Sequence, residues 1–237
     1  MKRIAFILIA MAAFACNEAF ADDELPSALP VMTIIKGDSV DEVNSYEGSA
    51  PVVARFAANA TNVGGYTPYY EWRFYENGDR ENPFLVRYDE EADYTFRESG
   101  SFNIELIISF VQGTDTVEYS MDDPFSVSIS TSKLEIPNAF SPNGDGQNDI
   151  FKVKEGYQSI VSFHGYIFNR WGKKIYEWTD IDGGWDGTIS GHAAKDGVYY
   201  VIIKARGADG RNYNIRRDVN LLRGYDSEDT SGGAAGN

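Results

Sequence analysis

The sequence predicts an all-β chain in which two antiparallel β-sandwich domains follow one another. Three observations carry that expectation. Apolar residues recur at every second position through most of the chain, clusters of Gly, Asn and Asp separate these runs at short intervals, and no segment sustains the 3.6-residue period of a helix.

The first residues read differently. Lys2 and Arg3 precede an apolar run from Ile4 to Ala15, and Ala19-Phe20-Ala21 stands just before Asp22-Asp23-Glu24. Residues 1 to 21 thus read as an export signal, with cleavage expected after Ala21 at the small-x-small site. The alternative is processing as a lipoprotein, since Ala13-Phe14-Ala15-Cys16 resembles a lipoprotein box in which Cys16 becomes the lipidated first residue. A membrane span needs about 20 apolar residues, so none is expected here or later in the chain. Residues 22 to 30 are acidic and contain proline, the composition of a linker.

Residues 31 to 132 form the first expected sandwich. Val52, Ala54, Phe56 and Ala58 alternate with Arg55 and Asn59; Tyr70, Trp72 and Phe74 with Glu71 and Arg73; and Phe102, Ile104, Leu106, Ile108 and Phe110 with Asn103, Glu105 and Ser109. Ala92, Tyr94 and Phe96 add a strand, and Phe125, Val127 and Ile129 close the set. Turns fall at Asn77-Gly78-Asp79, at Gly100, and at Gly113 in a hairpin connection from Gln112 to Asp115. Trp72 is the expected central core residue. On these strands Tyr70-Glu71-Trp72-Arg73-Phe74, Tyr94-Thr95-Phe96 and Glu98-Ser99-Gly100-Ser101-Phe102-Asn103-Ile104 resemble the PKD-type Ig-like sandwich.

Residues 133 to 224 repeat the style. Val161, Phe163 and Ile167, Ile175 to Trp178, Val198 to Ala205, and Tyr213 to Leu221 supply strands, with turns at Asp182-Gly183-Gly184, Asp196-Gly197 and Asp209-Gly210. Val198 to Ile203 is apolar on both faces, which predicts a central strand. Residues 225 to 237 are Gly, Ser and acid, the composition of a disordered tail.

Composition excludes several functions. The formal charge is −15, so nucleic acid is not an expected partner. The hydrophobic share of 43% and the aromatic share of 14% belong to folded domains rather than an acidic disordered chain. One Cys and two His cannot build a structural zinc site, a thiol nucleophile with its base, or an internal disulfide. His164 and His192 lack partners in the sequence and read as structural or solvated. Asp180, Asp182 and Asp186 flank Trp185, but Asp-Gly is turn chemistry, and glycoside hydrolysis needs two carboxyls set across a cleft. No enzyme activity is expected.

The strongest signal is a series of ordered blocks in the second unit. Pro142-Asn143-Gly144-Asp145-Gly146-Gln147-Asn148-Asp149 comes first, within a longer run from Pro137. Phe168-Asn169-Arg170-Trp171-Gly172, Trp185-Asp186-Gly187, Asp196-Gly197-Val198-Tyr199-Tyr200 and Val219-Asn220-Leu221-Leu222-Arg223 follow. Together they resemble the gliding-motility-associated C-terminal domain, the type B sorting domain of type IX secretion in Bacteroidetes-type bacteria. The resemblance implies a label recognised by outer-membrane secretion machinery, which carries its cargo through the periplasm to the outer surface or beyond. It also implies that Phe168, Trp171, Trp178 and Trp185 are core and turn-packing aromatics. The first sandwich is then the cargo, an adhesive or spacer module; the alternative is a surface glycan-binding or protein-binding protein whose C-terminal domain is structural only.

Two further sites are weighed on their residues. Asn143, Asp145 and Asp149 place oxygen atoms around Gly at the close spacing that suits calcium, while an Asx-rich turn holding its own backbone explains the same residues. No other cofactor is implied. Tyr69 and Tyr75 fall on the strand face opposite Trp72, which makes them candidates for contacting a glycan or surface protein; the alternative is tyrosine as a strand former.

Overall fold

A computed structural model describes residues 24 to 224 except 77. The expected leader with Cys16, the tail from 225 and Asn77 lie outside the described residues. Within them the chain is all-β, and no helix is long and apolar enough to cross a membrane.

The first unit closes around alternating strands from two sheets. One sheet runs in the order Ser39–Val43, Val31–Lys36, Val52–Ala57, Glu91–Phe96, all antiparallel. The other runs Ser45–Gly48, Phe125–Ile129, Gly100–Gln112, Thr67–Glu76, Leu85–Arg87, and its first pair is parallel. Asp115–Ser120 folds back on Gly100–Gln112 across the expected hairpin, where Gly113 takes the positive φ of 62° that a tight turn needs. Inward residues of both sheets meet at Trp72, which is fully buried with Phe56 at 5.7 Å between ring centroids. Phe56 also packs edge-on to Phe74 at 5.3 Å, so the centre of this core is an aromatic cluster.

Part of the segment expected as a linker is instead structured. Ser27–Ala28 pairs with Ala60–Thr61, and Ala28 is buried in the first core. An apolar residue beside an unpaired two-residue strand gains both burial and backbone hydrogen bonds there, which outweighs the acidic composition around it.

The second unit is built on one five-stranded sheet in the order Ala139–Phe140, Asn212–Leu221, Gly197–Gly207, Ile160–Phe168, Lys174–Trp178. Its inner face is covered by two short ladders, Phe151–Lys152 with Gly184–Trp185 and Thr188–Ile189 with His192–Ala193. Trp185, Phe151, Ile167, Ile203, Val219 and Leu221 form the core between them. Gly165 is glycine for a packing reason, since an added Cβ would overlap the Trp178 indole. Gly197–Gly207 does lie centrally, as expected, yet only one of its faces is covered. Val198 and Tyr200, on the outer side of the sheet, are 47% and 50% exposed.

The two units meet through small residues. Ser159, buried with φ at 47°, accepts the Ala50 amide on its Oγ at 3.2 Å and pairs with the Ser130 hydroxyl at 2.9 Å. The Ser99 amide donates to the Ala208 carbonyl, and Ala208 packs into the first core. Asp209 fastens the same joint: its carboxylate accepts the Ser132 amide at 3.0 Å and the Ser132 hydroxyl at 2.7 Å. The Ser132 hydroxyl and neighbouring amides hold the Asp209 carboxyl below the usual carboxylate range, partly opposed by desolvation. A lowered pKa contributes stability above the ordinary carboxylate value and loses it as pH falls through the depressed one. Asp209→Asn is therefore expected to flatten the fall in melting temperature below about pH 4, measured by circular dichroism across pH. An unchanged acid limb would remove Asp209 from this role.

Candidate functional site

The sequence blocks that lie far apart in the chain converge at one end of the second unit. Trp185 anchors them from inside. It is fully buried, packs on Phe140 at 5.3 Å and Tyr199 at 4.9 Å, and donates its Nε1 hydrogen to the Thr188 carbonyl at 2.7 Å. Asp186 accepts the Thr188 amide and hydroxyl at 2.9 and 2.8 Å, closing the turn that follows. Gly187 sits at φ 75°, where a Cβ would lie 2.8 Å from Pro142 and 3.1 Å from the Arg223 guanidinium. Glycine is required twice over, by conformation and by the close approach.

Arg223 ties three segments together. Its Nη2 donates to the Gly187 carbonyl at 2.9 Å, and its Nη1 donates to the Ala194 carbonyl and to Asp196 Oδ1, the latter at 3.1 Å. The Arg223 amide donates to the other Asp196 oxygen at 2.9 Å. One planar fork thus satisfies two loop carbonyls and a carboxylate. Gly197, next in sequence, opens the central strand opposite Leu221. Tyr199 donates its hydroxyl to the Lys195 carbonyl at 2.7 Å, and burial pushes its pKa up, against the neighbouring Arg223 and Arg170 charges. Arg223 belongs to the site although sequence reading placed it only in the closing block. Its signal was an arginine directly after the paired apolar residues of the last strand.

The Asn169 to Gly172 block makes a hairpin tip. The Asn169 side-chain oxygen accepts the Trp171 and Lys173 amides, both at 3.0 Å, and Gly172 takes φ 77°. Trp171 is not a packing aromatic as expected. It is 79% exposed, because the tip projects past the sheet, and the Arg170 guanidinium lies 5.2 Å from its ring. Phe168 is half-buried on the outer face of the sheet. A groove of about 370 Å³ separates this tip from the segment His192 to Tyr199.

The Pro142 to Asp149 block is an Asx-rich turn. Both Asp149 oxygens accept backbone amides, from Gly144 at 2.7 Å and Gly146 at 2.8 Å. Asp145 accepts the Gln147 amide and Asn143 accepts the Asp145 amide, at 2.7 and 3.1 Å. The Asn148 carbonyl accepts the Ser141 amide, with Gly144, Gly146 and Asn148 all at positive φ. The three residues weighed as calcium ligands are brought together, with their oxygens aimed at the loop's own N–H groups. No group of three or more His, Cys, Asp or Glu that could hold a metal occurs among the described residues. A chelator is expected to leave the melting temperature unchanged; a fall of several degrees that calcium restores would assign the loop to the ion.

The remaining candidates separate. Tyr69 is 60% exposed, but Tyr75 is buried at 2%. Alternation places Tyr75 on the outer face, yet Tyr75 is buried there, on the side of the sheet where Arg80 comes within 3.7 Å of Glu105. Tyr75 is thus withdrawn from any binding surface. Asp182 accepts the Tyr157 hydroxyl at 2.7 Å; burial first, then this carboxylate, pushes the Tyr157 pKa up to about 12. Asp180 accepts the Asp182 amide at 3.1 Å. His164 stacks on Tyr166 at 4.2 Å with its Nε2 3.8 Å from Glu177, and His192 is exposed.

With this geometry established, comparison with known families is decisive for the second unit. Residues 134–216 match the CHU_C type IX secretion signal domain. The second unit is a domain of this family. A type IX secretion signal domain marks an exported protein, delivered to the cell surface or released, and implies contact with the secretion machinery. Curated proteins offer no match. Two solved structures are similar at low level. The chicken CNTN1 FN1–FN3 domains show 9% identity and a TM-score of 0.23, over 75% of this chain and 65% of that one. Dimeric latent PorU from Porphyromonas gingivalis shows 12% identity and a TM-score of 0.26, over 85% of this chain and 20% of that one. The chain therefore spans under two thirds of the first and a fifth of the second.

Proposed function

We propose that this is a non-enzymatic cell-surface protein of two parts: a type IX sorting label at residues 133 to 224 and a cargo sandwich at residues 31 to 132 that serves as an adhesive or spacer module. The leader carries the chain into the periplasm, and the second domain then directs it across the outer membrane. The observation that carries this reading is the convergence of the Pro142, Trp185, Asp196 and Arg223 blocks on one cluster, of which Pro142, Trp185, Gly187 and Asp196 lie inside the span that matches the secretion signal family. A label must fold without disulfides and present fixed turns, and that cluster supplies both.

The adhesive role of the cargo rests on Tyr69, a large amphipathic ring left exposed on a rigid strand. Its binding partner would be a glycan or a surface protein, readable on a glycan array with wild type and Tyr69→Ala.

Necessity of the label is tested by comparing the full chain with one ending at Ser132 in a host competent for type IX secretion. Protease added to intact cells should digest the full chain and spare the shortened one, which stays in the periplasm. Equal exposure of both chains would assign export to something other than the second domain.

A further inference from the structure

The outward face of the five-stranded sheet contradicts the pattern expected of a solvated surface. An antiparallel sheet covered on one side normally presents polar residues on the other. Here Phe168 and Tyr200 stand opposite one another across the two central strands, and Ile202 follows on the same face. Tyr200 is half exposed, and none of the three belongs to the core beneath. A contiguous row of half-buried apolar residues, with Tyr200 and Val198 about half exposed on the same face, marks an interaction surface.

The charge beside them is as unusual. Residues 24 to 132 hold 6 Lys and Arg against 19 Asp and Glu, a formal charge of −13; residues 133 to 224 hold 13 against 11, a charge of +2. Lys204, Arg206 and Arg216 project on the same outward face, since alternation continues from Ile202 and Arg216 stands opposite Ile202 in register. None of the three forms an ion pair among the described residues. Two carboxylates share the face: Asp218 stands opposite Tyr200, and Glu177 is taken up by Lys174 at 2.6 Å. Three unpaired cations against one carboxylate leave the face positive, on a domain that is not acidic within an acidic chain, and that excess specifies the sign of whatever lies against it.

We infer that this face is where the secretion machinery docks the label, through an acidic protein surface that places apolar side chains over Phe168, Tyr200 and Ile202. The inference rests on the sorting reading and names the surface that performs it. The Trp185 and Arg223 cluster then shapes the domain, while the sheet face is what the machinery touches.

The test uses the full chain in a secretion-competent host, with wild type, Tyr200→Asp and the double variant Lys204→Glu, Arg216→Glu, each confirmed as folded by an unchanged melting temperature. Surface-exposed protein should fall by about tenfold in both variants, with matching accumulation in the periplasm. Lys154→Glu, remote from this face, should reach the surface like wild type. Wild type and both face variants appearing equally at the surface would overturn this inference and leave the sorting reading intact. Wild type failing to appear would overturn the sorting reading and this one with it. Self-association of purified wild type in sedimentation, lost in Tyr200→Asp, would assign the face to a second copy of the chain and overturn the machinery as its occupant.

Discussion

Trp185→Ala is expected to destabilise the second domain by about 3–5 kcal/mol, the usual cost of emptying a large aromatic site in a core. Trp185 is fully buried, and its ring is shared by Phe140 from the start of the domain and Tyr199 from the central strand. Its indole N–H also satisfies the Thr188 carbonyl, so removal leaves that acceptor unpaired as well as leaving a cavity. Domains are stable by only about 5–15 kcal/mol, so a loss of this size takes most of the margin. Chemical denaturation should show one transition shifted to lower denaturant while that of the first sandwich stays in place. Surface delivery should fall with it, because the sorting blocks around Gly187 and Arg223 are held by the same core. A shift of less than about 1 kcal/mol would mean that Trp185 does not organise this end of the domain.

Trp72→Ala should cost the first sandwich a similar ~3–5 kcal/mol, while Trp72→Phe should cost far less than Trp185→Phe. The contrast comes from the indole nitrogens. Trp72 Nε1 is buried with no hydrogen-bond partner among the described residues, whereas Trp185 Nε1 has one at 2.7 Å. Phenylalanine at 72 removes an unsatisfied donor, which offsets part of the lost packing; at 185 it orphans a carbonyl. Denaturant midpoints of the four variants measure this directly. Equal costs for the two Phe variants would show that hydrogen bonding does not distinguish the sites.

Where alternation is strong and both sheets cover the residue, the fold is legible in the sequence. Phe102 to Phe110 and the Trp72 strand lie where period two places them, and the Gln112 to Asp115 hairpin pairs as its turn residues imply. Ser39–Val43 and Ser45–Gly48 carry no such pattern. They lie at sheet edges, where one side faces water and polar residues cost nothing. Alternation assigns a face but cannot report what covers it: Tyr75 lies on the outer face and is buried, while Val198 and Tyr200 lie in an apolar run and are about half exposed.

The site shows the same division. Asn169, Gly172, Asp186 and Asp149 bond to backbone within a few residues, so their turn roles follow from local chemistry. The Arg223 fork reaches Gly187, 36 residues away, and Asp196, 27 away, and no local rule predicts such contacts. The resemblance implies a packing role for Trp171, and its position at the Asn169 hairpin tip leaves it exposed instead.

Transplantation probes the central proposal, that the second domain is an export label. Residues 133 to 237 are joined to an unrelated reporter that is otherwise confined to the periplasm of a type IX-competent host, and intact cells are stained with antibody to the reporter. The account predicts staining that disappears when the secretion channel is deleted. Reporter that stays in the periplasm, with its folded state confirmed in extracts, would contradict it.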